Sequence, residues 1–486
     1  MVAISHAEFA EMSRGKRVAD RVSAINFFNQ AASIPNPASY TGNPQLKYQL
    51  FASAVLADPT MAQGVYELAN ANREMGLLHS AVALYRRLLE LSITDTPGDL
   101  TQDTKARALT NMGHSLYALG LYEEAEERTL EAIAIDPTLA MAWCNLSLVQ
   151  SVTGKLEESL ASAKKSYELE PNNAVAEVGL AFAHFYLGDF ASGLKHFEAR
   201  FPYRFPHFLN YPYPKWEGEE KKTLYLVSEQ GVGDALSFSR FIEMAATRSE
   251  FIHIVVQKEL VRLLKVSLQH LTNINIMGAP QPFVPADYWS SFMSLPRAMG
   301  LSNEEFINTP NIRIPQFQVN ASAWKCSDRK FHIGVAWSGS PASDINHWRS
   351  FPVTQLLELC KIPDVQLYSI QLNDQTKELH NAGCSVVIRD LSPFITDVAD
   401  TIGIMDNLDL MVTTESAPGH IAGHANIETL IPYSYAGRDW RVGPRGGVPI
   451  WYPKSLAIQQ DADMRWEPVF EKINRMVREK VEAIRG

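Results

Sequence analysis

Residues 120–137 read Gly-Leu-Tyr-Glu-Glu-Ala-Glu-Glu-Arg-Thr-Leu-Glu-Ala-Ile-Ala-Ile-Asp-Pro, and residues 154–171 repeat the pattern as Gly-Lys-Leu-Glu-Glu-Ser-Leu-Ala-Ser-Ala-Lys-Lys-Ser-Tyr-Glu-Leu-Glu-Pro. The opening glycine recurs at an interval of 34 residues, as Gly120, Gly154 and Gly188. This period, with small and bulky residues at matching offsets, is the tetratricopeptide helix-turn-helix signature. The first part of the chain is therefore predicted to be an α-solenoid.

The repeat pattern extends on the N-terminal side of these units. An earlier unit lies around Gly76 and is followed by a long loop at Pro97 and Gly98, and a further half-unit ends at Pro59 after a helical segment near residues 5–30. Each unit exposes an apolar face that only its neighbours cover, so residues 1–200 are predicted to stack into a solenoid with a concave groove. Individual aromatic and small residues are expected to pack between helices, and the groove as a whole is expected to bind a peptide or protein.

The composition is that of a folded protein with several domains. The chain has 486 residues, of which 46% are hydrophobic and 20% charged, and its formal net charge is −10. The acidic balance disfavours nucleic acid and anionic membranes as partners. The four cysteines lie far apart, which suggests neither a zinc site nor a disulfide framework. No stretch is apolar enough to span a membrane, so we expect a cytoplasmic protein without an integral membrane segment.

Residues 201–221 interrupt the repeats with closely spaced prolines and aromatic residues. The prolines forbid a continuous helix, and the aromatic residues are too many for a free linker. An ordered strap is predicted; stacking of Tyr211, Tyr213 or Trp216 on a ligand is the alternative.

Beyond the strap, β-rich runs alternate with helical stretches, which is typical of parallel sheets with crossover connections. The predicted strands are 223–228, 251–256, 273–277, 331–337, 364–371, 385–388, 408–413 and 428–432. A stretch without strong pattern separates two sets of strands. The sequence thus predicts two doubly wound lobes at 222–315 and 330–462, and a C-terminal helix within 463–486.

Polar residues follow the first predicted strand, where residues 227–236 read Val-Ser-Glu-Gln-Gly-Val-Gly-Asp-Ala-Leu. Gly231 and Gly233 form a turn that brings Glu229 and Asp234 to the start of a helix. A leucine stands where a dinucleotide fingerprint requires its third glycine, which disfavours a nicotinamide or flavin enzyme. Ligands bind at the carboxyl ends of strands in such folds, so Asp234 is a candidate catalytic carboxylate. Its alternative is a helix-start residue that interacts with the dipole.

A serine-glycine turn follows the next candidate strand, where residues 333–341 read Ile-Gly-Val-Ala-Trp-Ser-Gly-Ser-Pro. Ser338 and Ser340 offer hydroxyl groups, and Arg349 offers a planar fork of donors. These groups suit a phosphate or diphosphate, although such turns are common.

A third polar turn lies within residues 408–424, where Glu415 and Ser416 stand between a strand and a helix. The free amides at the start of that helix, near Gly419, favour an anion, and His420 can add a donor. A core histidine bonded to the backbone is the alternative for His420.

The order of short motifs along the chain resembles that of bacterial tetratricopeptide-containing glycosyltransferases with a heptosyltransferase-like (family 9-like) GT-B catalytic half. The motifs lie at 229–234, 369–371, 390–392, 397–401, 408–410, 415–420, 439–441 and 451–453. The resemblance implies an α + α/β fold, in which a solenoid precedes a GT-B pair of Rossmann-like lobes. It also implies a nucleotide-sugar donor held mainly by the second lobe. A Glu-Ser pair at 415–416 replaces the family's Asp-Thr, which implies a different sugar or phosphate number in the donor.

The resemblance further implies an inverting, metal-independent transfer of the sugar to a hydroxyl group of an acceptor, which we expect to be a protein recruited by the repeats. Asp234 matches the family's turn aspartate and is the expected base, with Glu229 as second choice. Gln371 is the expected contact of the nucleotide base. The expected donor-binding residues are Gly231, Gly233, Ser338, Ser340, Arg349, Gln371, Glu415, Ser416, Gly419 and His420.

No cofactor and no metal are expected, because Asp461 and Asp463 precede a helix, where a carboxylate acts as an N-cap. Two other functions fit the sequence. One is a scaffold whose nucleotide-binding lobes have become structural, and the other is a transferase that acts on a lipid-linked glycan.

Overall fold

The structure, a computed structural model, describes residues 20–34, 43–91, 101–343, 345–436, 439–443 and 446–485. The chain divides into two compact units, Met1–Ala183 and His184–Gly486. The predicted helix near residues 5–30 lies partly outside the described residues, and the predicted loop at Pro97 and Gly98 lies wholly outside them.

The first unit consists of helices, which from Ala62 onward are joined in pairs by short turns. They are α1 (Arg21–Ala32), α2 (Pro44–Ala57), α3 (Ala62–Glu74), α4 (Leu78–Leu91), α5 (Gln102–Ala118), α6 (Tyr122–Ile135), α7 (Ala140–Val152), α8 (Leu156–Leu169) and α9 (Ala174–Tyr186), the last of which continues into the second unit.

The repeated glycines end the first helix of each pair. Gly76, Gly120 and Gly154 have φ angles of 74°, 78° and 81°. The next residue donates its N–H to a carbonyl five positions back, as from Leu121 to Leu116 at 2.9 Å. A left-handed residue is required here, and glycine adopts that conformation without a steric penalty. The predicted tetratricopeptide repeat is thus confirmed.

The paired helices pack closely because small residues face each other. A β-carbon on Gly113 of α5 would lie 2.3 Å from Thr129 Oγ1 of α6. Ala106 and Ala132 are fully buried. The small residues at repeat offsets therefore pack between helices, as the sequence predicts.

The second unit contains two sheets in which every described strand pair is parallel. The first sheet has the order β3-β2-β1-β4, and the second has the order β10-β9-β8-β5-β6-β7. The strands are β1 (Thr223–Val227), β2 (Phe251–Val256), β3 (Ile274–Gly278), β4 (Tyr288–Ser291), β5 (Phe331–Ala336), β6 (Val365–Ser369), β7 (Ile388–Asp390), β8 (Leu410–Thr413), β9 (Thr429–Tyr433) and β10 (Ser455–Gln459).

Helices connect and cover these strands. They are α10 (Phe190–His196), α11 (Arg200–Arg204), α12 (Val232–Phe238), α13 (Ile242–Arg248), α14 (Lys258–Ser267), α15 (Leu295–Ala298), α16 (Asn303–Asn308), α17 (Asn346–Arg349), α18 (Leu357–Cys360), α19 (Thr376–Asn381), α20 (Val398–Met405), α21 (Ala417–His424) and α22 (Glu467–Arg485). Among the described residues, every helix is too short or too polar to cross a lipid bilayer.

The predicted parallel α/β region is confirmed, with differences in individual strands. The short edge strands β4 and β10 were not predicted, and the strand predicted at 385–388 begins only at Ile388. β4 has four residues and follows a proline-rich stretch, so its pattern is too short to recognise. The domain boundaries placed within this region stay predictions.

The segment 201–221 lies on the first sheet. Trp216 is fully buried, its N–H donates to the carbonyl of Trp289 at 2.8 Å, and the N–H of Trp289 donates to Pro214. Tyr211 lies edge-on to Tyr225 of β1, with ring centroids 6.0 Å apart. Tyr211 and Trp216 therefore cover the sheet, which favours the strap over the ligand-stacking alternative for these two residues.

Candidate functional site

The two sheets meet through the helices that follow β1 and β8. A β-carbon on Gly233 of α12 would lie 2.6 Å from His420 Cδ2 and 3.2 Å from the α-carbon of Ala417, both in α21. Only glycine permits so close an approach without displacing a neighbour. The glycine predicted to open a ligand turn thus also brings the two helices together.

Three polar side chains connect these helices to the segment before β10. Ser237 Oγ lies 3.1 Å from His420 Nδ1 and 2.9 Å from the Tyr452 hydroxyl, which lies 3.2 Å from His420 Nδ1. All three residues are buried. Burial raises the pKa of Tyr452 to about 12, so its hydroxyl group stays protonated. The predicted alternative for His420, a ring bonded only to backbone, is not the arrangement found.

Asp234 reaches the second sheet through an arginine. Arg441 Nη2 donates to Asp234 Oδ1 at 3.0 Å, and the same guanidinium donates to both carboxylate oxygens of Asp439. Burial raises the pKa of Asp439, but the charge and hydrogen bonds of Arg441 outweigh it and lower the pKa to about 2. Asp234 is the more accessible carboxylate, since 24% of its side chain is exposed against 8% for Asp439.

Glu415 lies between two basic groups at the start of α21. Its Oε1 lies 3.3 Å from His420 Nε2 and its Oε2 lies 3.6 Å from Arg349 Nη1. Arg349 also donates to the backbone carbonyl of Glu415 at 3.1 Å. Ser416 is the N-cap residue of α21, and its side chain makes no capping bond within the described chain. A β-carbon on Gly419 would meet only Thr414 and Thr413, at 3.5 Å or more.

The serine turn after β5 joins this group through Asn346. Asn346 Nδ2 donates to Ser338 Oγ at 3.2 Å, and a β-carbon on Gly339 would lie 2.6 Å from Arg349 Nη2. Ser340 is exposed and its hydroxyl accepts from the N–H of Ala342 at 3.3 Å. The turn therefore closes on Arg349, while Ser340 points away from the buried contacts.

Gln371 supports the same turn. Its Oε1 accepts from the N–H groups of Trp337 and Ser338, each at 3.0 Å, and its Nε2 donates to the carbonyl of Ser338 at 3.0 Å. The amide is thus engaged with backbone, which favours a structural role over the expected contact with a nucleotide base.

Glu229 is also engaged. Arg200 donates to its two carboxylate oxygens at 2.9 Å and 2.6 Å, and Ser291 Oγ donates to Oε1 at 2.5 Å. The side chain of Glu229 is 0% exposed. A carboxylate enclosed in this way is unable to reach an acceptor hydroxyl, so the geometry favours Asp234 among the two candidate bases. Gly231 is the N-cap residue of α12, and a β-carbon on it would meet only Asp234 Oδ2, at 3.7 Å.

The residues that meet at the contact of the two sheets are named here the junction cluster. It comprises Asp234, Ser237, Arg349, Glu415, His420, Asp439, Arg441 and Tyr452. Sequence reasoning found Asp234, Arg349, Glu415 and His420. The motifs 439–441 and 451–453 contain Arg441 and Tyr452 but do not indicate their roles, and Ser237 carries no signal beyond its helical position.

Part of the junction cluster has the donor atoms of a metal site. Ligand atoms of Glu415, His420 and Asp439 lie within 4.8 Å of one another. The Arg441 guanidinium already binds both oxygens of Asp439, and it supplies there the positive charge that a cation would supply. The expected absence of a metal stays a prediction.

Comparison with known proteins bears on the repeats. Residues 106–139 match a family model described as tetratricopeptide repeat. Protein FlbA of Caulobacter vibrioides is 22% identical over 468 residues, which are 90% of this chain and 76% of FlbA. The Hsp70-Hsp90 organizing protein of Triticum aestivum is 33% identical over 86 residues, only 18% of this chain and 15% of that protein.

Two solved structures of other proteins are similar to part of the chain. MamA from Desulfovibrio magneticus RS-1 is 17% identical, with a TM-score of 0.31, over 39% of this chain and 98% of MamA. YrrB, a tetratricopeptide protein with an unusual peptide-binding site, is 16% identical, with a TM-score of 0.30, over 43% of this chain and 96% of YrrB. Residues 106–139, which span α5 and α6, therefore match a tetratricopeptide repeat.

Proposed function

We propose that this protein is an inverting, metal-independent glycosyltransferase that moves a sugar from a nucleotide-sugar donor to a hydroxyl group of a protein recruited by the repeats. The observation that carries the proposal is the contact between Asp234, from the helix after β1, and Arg441, from the segment after β9. This contact brings a partly exposed carboxylate together with groups suited to an anion. It lies at the carboxyl ends of the strands, where ligands bind in open parallel sheets. The two parallel sheets support a GT-B arrangement of the lobes.

The proposed reaction is a single displacement. Asp234 accepts the proton of the acceptor hydroxyl, and that oxygen forms a bond to the anomeric carbon as the bond from carbon to the phosphate oxygen breaks. The electron pair leaves with the nucleotide phosphate. Asp234 Oδ1 is held by Arg441, while Oδ2 remains toward the Gly231 turn and is the oxygen available to the acceptor. General-base catalysis of this kind contributes about 10²- to 10⁴-fold to the rate.

The leaving group accumulates negative charge in the transition state. The start of α21 offers the uncapped N–H of Ala417, and the Arg349 fork and the Ser416 hydroxyl lie beside it. Preorganised donors at the place where charge develops stabilise the transition state more than the ground state. These residues are therefore proposed to bind the phosphate of the donor.

The acceptor is proposed to bind to the repeats. Within the first unit, a cavity of about 300 Å³ is lined by Leu68, Asn72, Val82, Arg86 and Leu121, among others. Its apolar lining with a few polar groups is typical of sites that take a side chain or small ligand. This cavity is proposed to hold an acceptor side chain.

The test compares Asp234→Asn with the wild-type chain. Purified protein is incubated with uridine, guanosine, adenosine and cytidine nucleotide sugars, and donor consumption and glycosylated protein are both measured. Asp234→Asn is expected to lower turnover by about 10²-fold or more. Asp461→Asn, which changes an exposed carboxylate outside the junction cluster, serves as matched control and is expected to keep full turnover.

Three outcomes would count against the proposal. Unchanged turnover in Asp234→Asn would remove Asp234 as the base. Absence of turnover by the wild-type protein with every donor would favour a scaffold. A glycosylated product that extracts with membranes would favour a lipid-linked acceptor over a protein.

A further inference from the structure

Arg441 is the most enclosed cation of the junction cluster. Only 7% of the residue is exposed. Its Nε and Nη2 atoms donate to Asp439, and Nη2 also donates to Asp234. Burial opposes the charge of Arg441, but Asp439 and Asp234 outweigh it, so the pKa of Arg441 lies above its ordinary value and the group stays charged.

One end of this guanidinium is unused. Nη1 is buried and finds no acceptor among the described residues. Buried N–H groups in proteins are nearly always paired, because an unpaired one loses its hydrogen bond to water without replacement. Since Nη2 of the same fork is fully engaged, Nη1 is the atom of Arg441 suited to an oxygen of a ligand.

The surroundings of Arg441 include further groups that can donate to an oxygen of a ligand. Arg441 binds the carboxylate of Asp439, which lies close to Glu415 and His420. Ligand atoms of these three residues, Glu415, His420 and Asp439, lie within 4.8 Å of one another. Glu415 begins the turn into α21, where the N-cap residue Ser416 makes no side-chain capping bond and leaves the N–H of Ala417 uncapped. Pro418 has no N–H, and Gly419 donates to the carbonyl of Ser416. Arg349 adds a second guanidinium on the other side of Glu415. Arginine forks and the amide at a helix start together match the oxygens of a phosphate group.

We infer that Arg441 binds a phosphate oxygen of the nucleotide sugar through Nη1 while Nη2 holds Asp234, so that one guanidinium positions both the leaving group and the base. The identity of the ligand rests on the proposed function. Arg441 would contact the donor directly, and Asp439 would act as a positioning residue that orients the guanidinium.

The test measures nucleotide binding in the full chain by titration calorimetry. The probes are the diphosphates of uridine, guanosine, adenosine and cytidine. Arg441→Lys keeps the charge but loses the fork, and is expected to weaken binding of the preferred nucleotide about tenfold or more. Arg478→Gln, at an exposed arginine on α22, is the matched control and is expected to bind as the wild type does.

A second variant guards against misfolding. Removing Arg441 alone would leave Asp439 buried and unpaired, so Asp439→Asn is combined with Arg441→Gln to remove both charges together. Circular dichroism and thermal unfolding check that the double variant folds. Loss of nucleotide binding by this folded protein is the expected result.

The outcomes separate this inference from the proposed function. Folded Arg441 variants that bind within about twofold of the wild type would overturn the inference, as would a wild-type protein that binds none of the four nucleotides. Binding that depends on Arg441, without sugar transfer, would support the inference and count against the transferase. Loss of transfer in Asp234→Asn, with binding independent of Arg441, would support the transferase and overturn the inference.

Discussion

Gly233 and His420 approach so closely that a β-carbon on residue 233 would lie 2.6 Å from the imidazole Cδ2. These residues come from the helices after β1 and β8, one from each sheet. Their contact determines the separation of the two carboxyl edges at which the junction cluster forms.

Gly233→Ala is expected to lower both stability and transfer. Alanine in place of glycine stabilises a helix by about 1 kcal/mol. The clash of the new β-carbon with His420 costs about 1–3 kcal/mol and moves α21 away from Asp234. Urea unfolding and the rate of donor consumption measure the two effects. Gly179→Ala is the matched control, because Gly179 also lies within a helix, far along the chain from Asp234, and its β-carbon meets no atom closer than Cys144 Sγ at 3.5 Å. Equal behaviour of the two variants would contradict the close packing.

Arg200→Met is expected to destabilise the protein by about 3–5 kcal/mol, because Glu229 would be left as an unpaired buried charge. Both side chains are almost fully enclosed, at 2% and 0% exposure. Adding Glu229→Gln to this variant removes the unpaired charge and should recover much of the lost stability, as measured by urea unfolding. Should Glu229→Gln alone stop transfer while stability is kept, Glu229 would be the base and its structural role would be refuted.

His424 is expected to make stability depend on pH. Burial, followed by the charge of Arg240, holds the pKa of His424 well below its ordinary value of 6.5. Below about pH 6.5 the unfolded chain therefore binds a proton at His424 that the folded chain does not bind. The contribution of His424 to the free energy of unfolding is complete above about pH 6.5 and is lost as the pH falls toward the pKa of the folded state. Within that window the free energy of unfolding falls by up to about 1.4 kcal/mol per pH unit.

His424→Asn removes the titrating ring while retaining an N–H donor for the carbonyl of His420, which Nδ1 contacts at 3.1 Å. The fall in melting temperature between pH 7.5 and 5.5 should be smaller in this variant than in the wild type. His332 and His253 also have lowered pKa values because of burial, so part of the slope should remain.

Removal of metal ions is expected to leave transfer unchanged. The guanidinium of Arg441 on Asp439 and the fork of Arg349 near Glu415 supply the positive charge that a divalent cation would supply to the leaving group. Turnover is measured before and after dialysis against a chelator. Loss of turnover, restored by a divalent cation, would instead assign a metal to Glu415, His420 and Asp439.

Much of the fold could be predicted from the chain because it depends on local periodicity. The glycine at the end of each first helix recurs at a fixed interval, and its left-handed φ is a local requirement that the sequence displays directly. The alternation of β-rich and helical runs likewise predicts parallel sheets. The edge strands β4 and β10 were not predicted, since they have only four and five residues and an alternating pattern is hard to recognise over so short a run.

The sequence by itself determined the repeats, the parallel α/β architecture and the polar residues at the ends of β1 and β8. Only the tertiary structure decided what those residues contact. Glu229 and Asp234 stand five positions apart in one turn, yet Arg200 encloses Glu229 while Asp234 remains partly exposed beside Arg441. The physical reason is that burial and pairing, which depend on distant parts of the chain, decide whether a carboxylate supports the fold or remains accessible to a substrate.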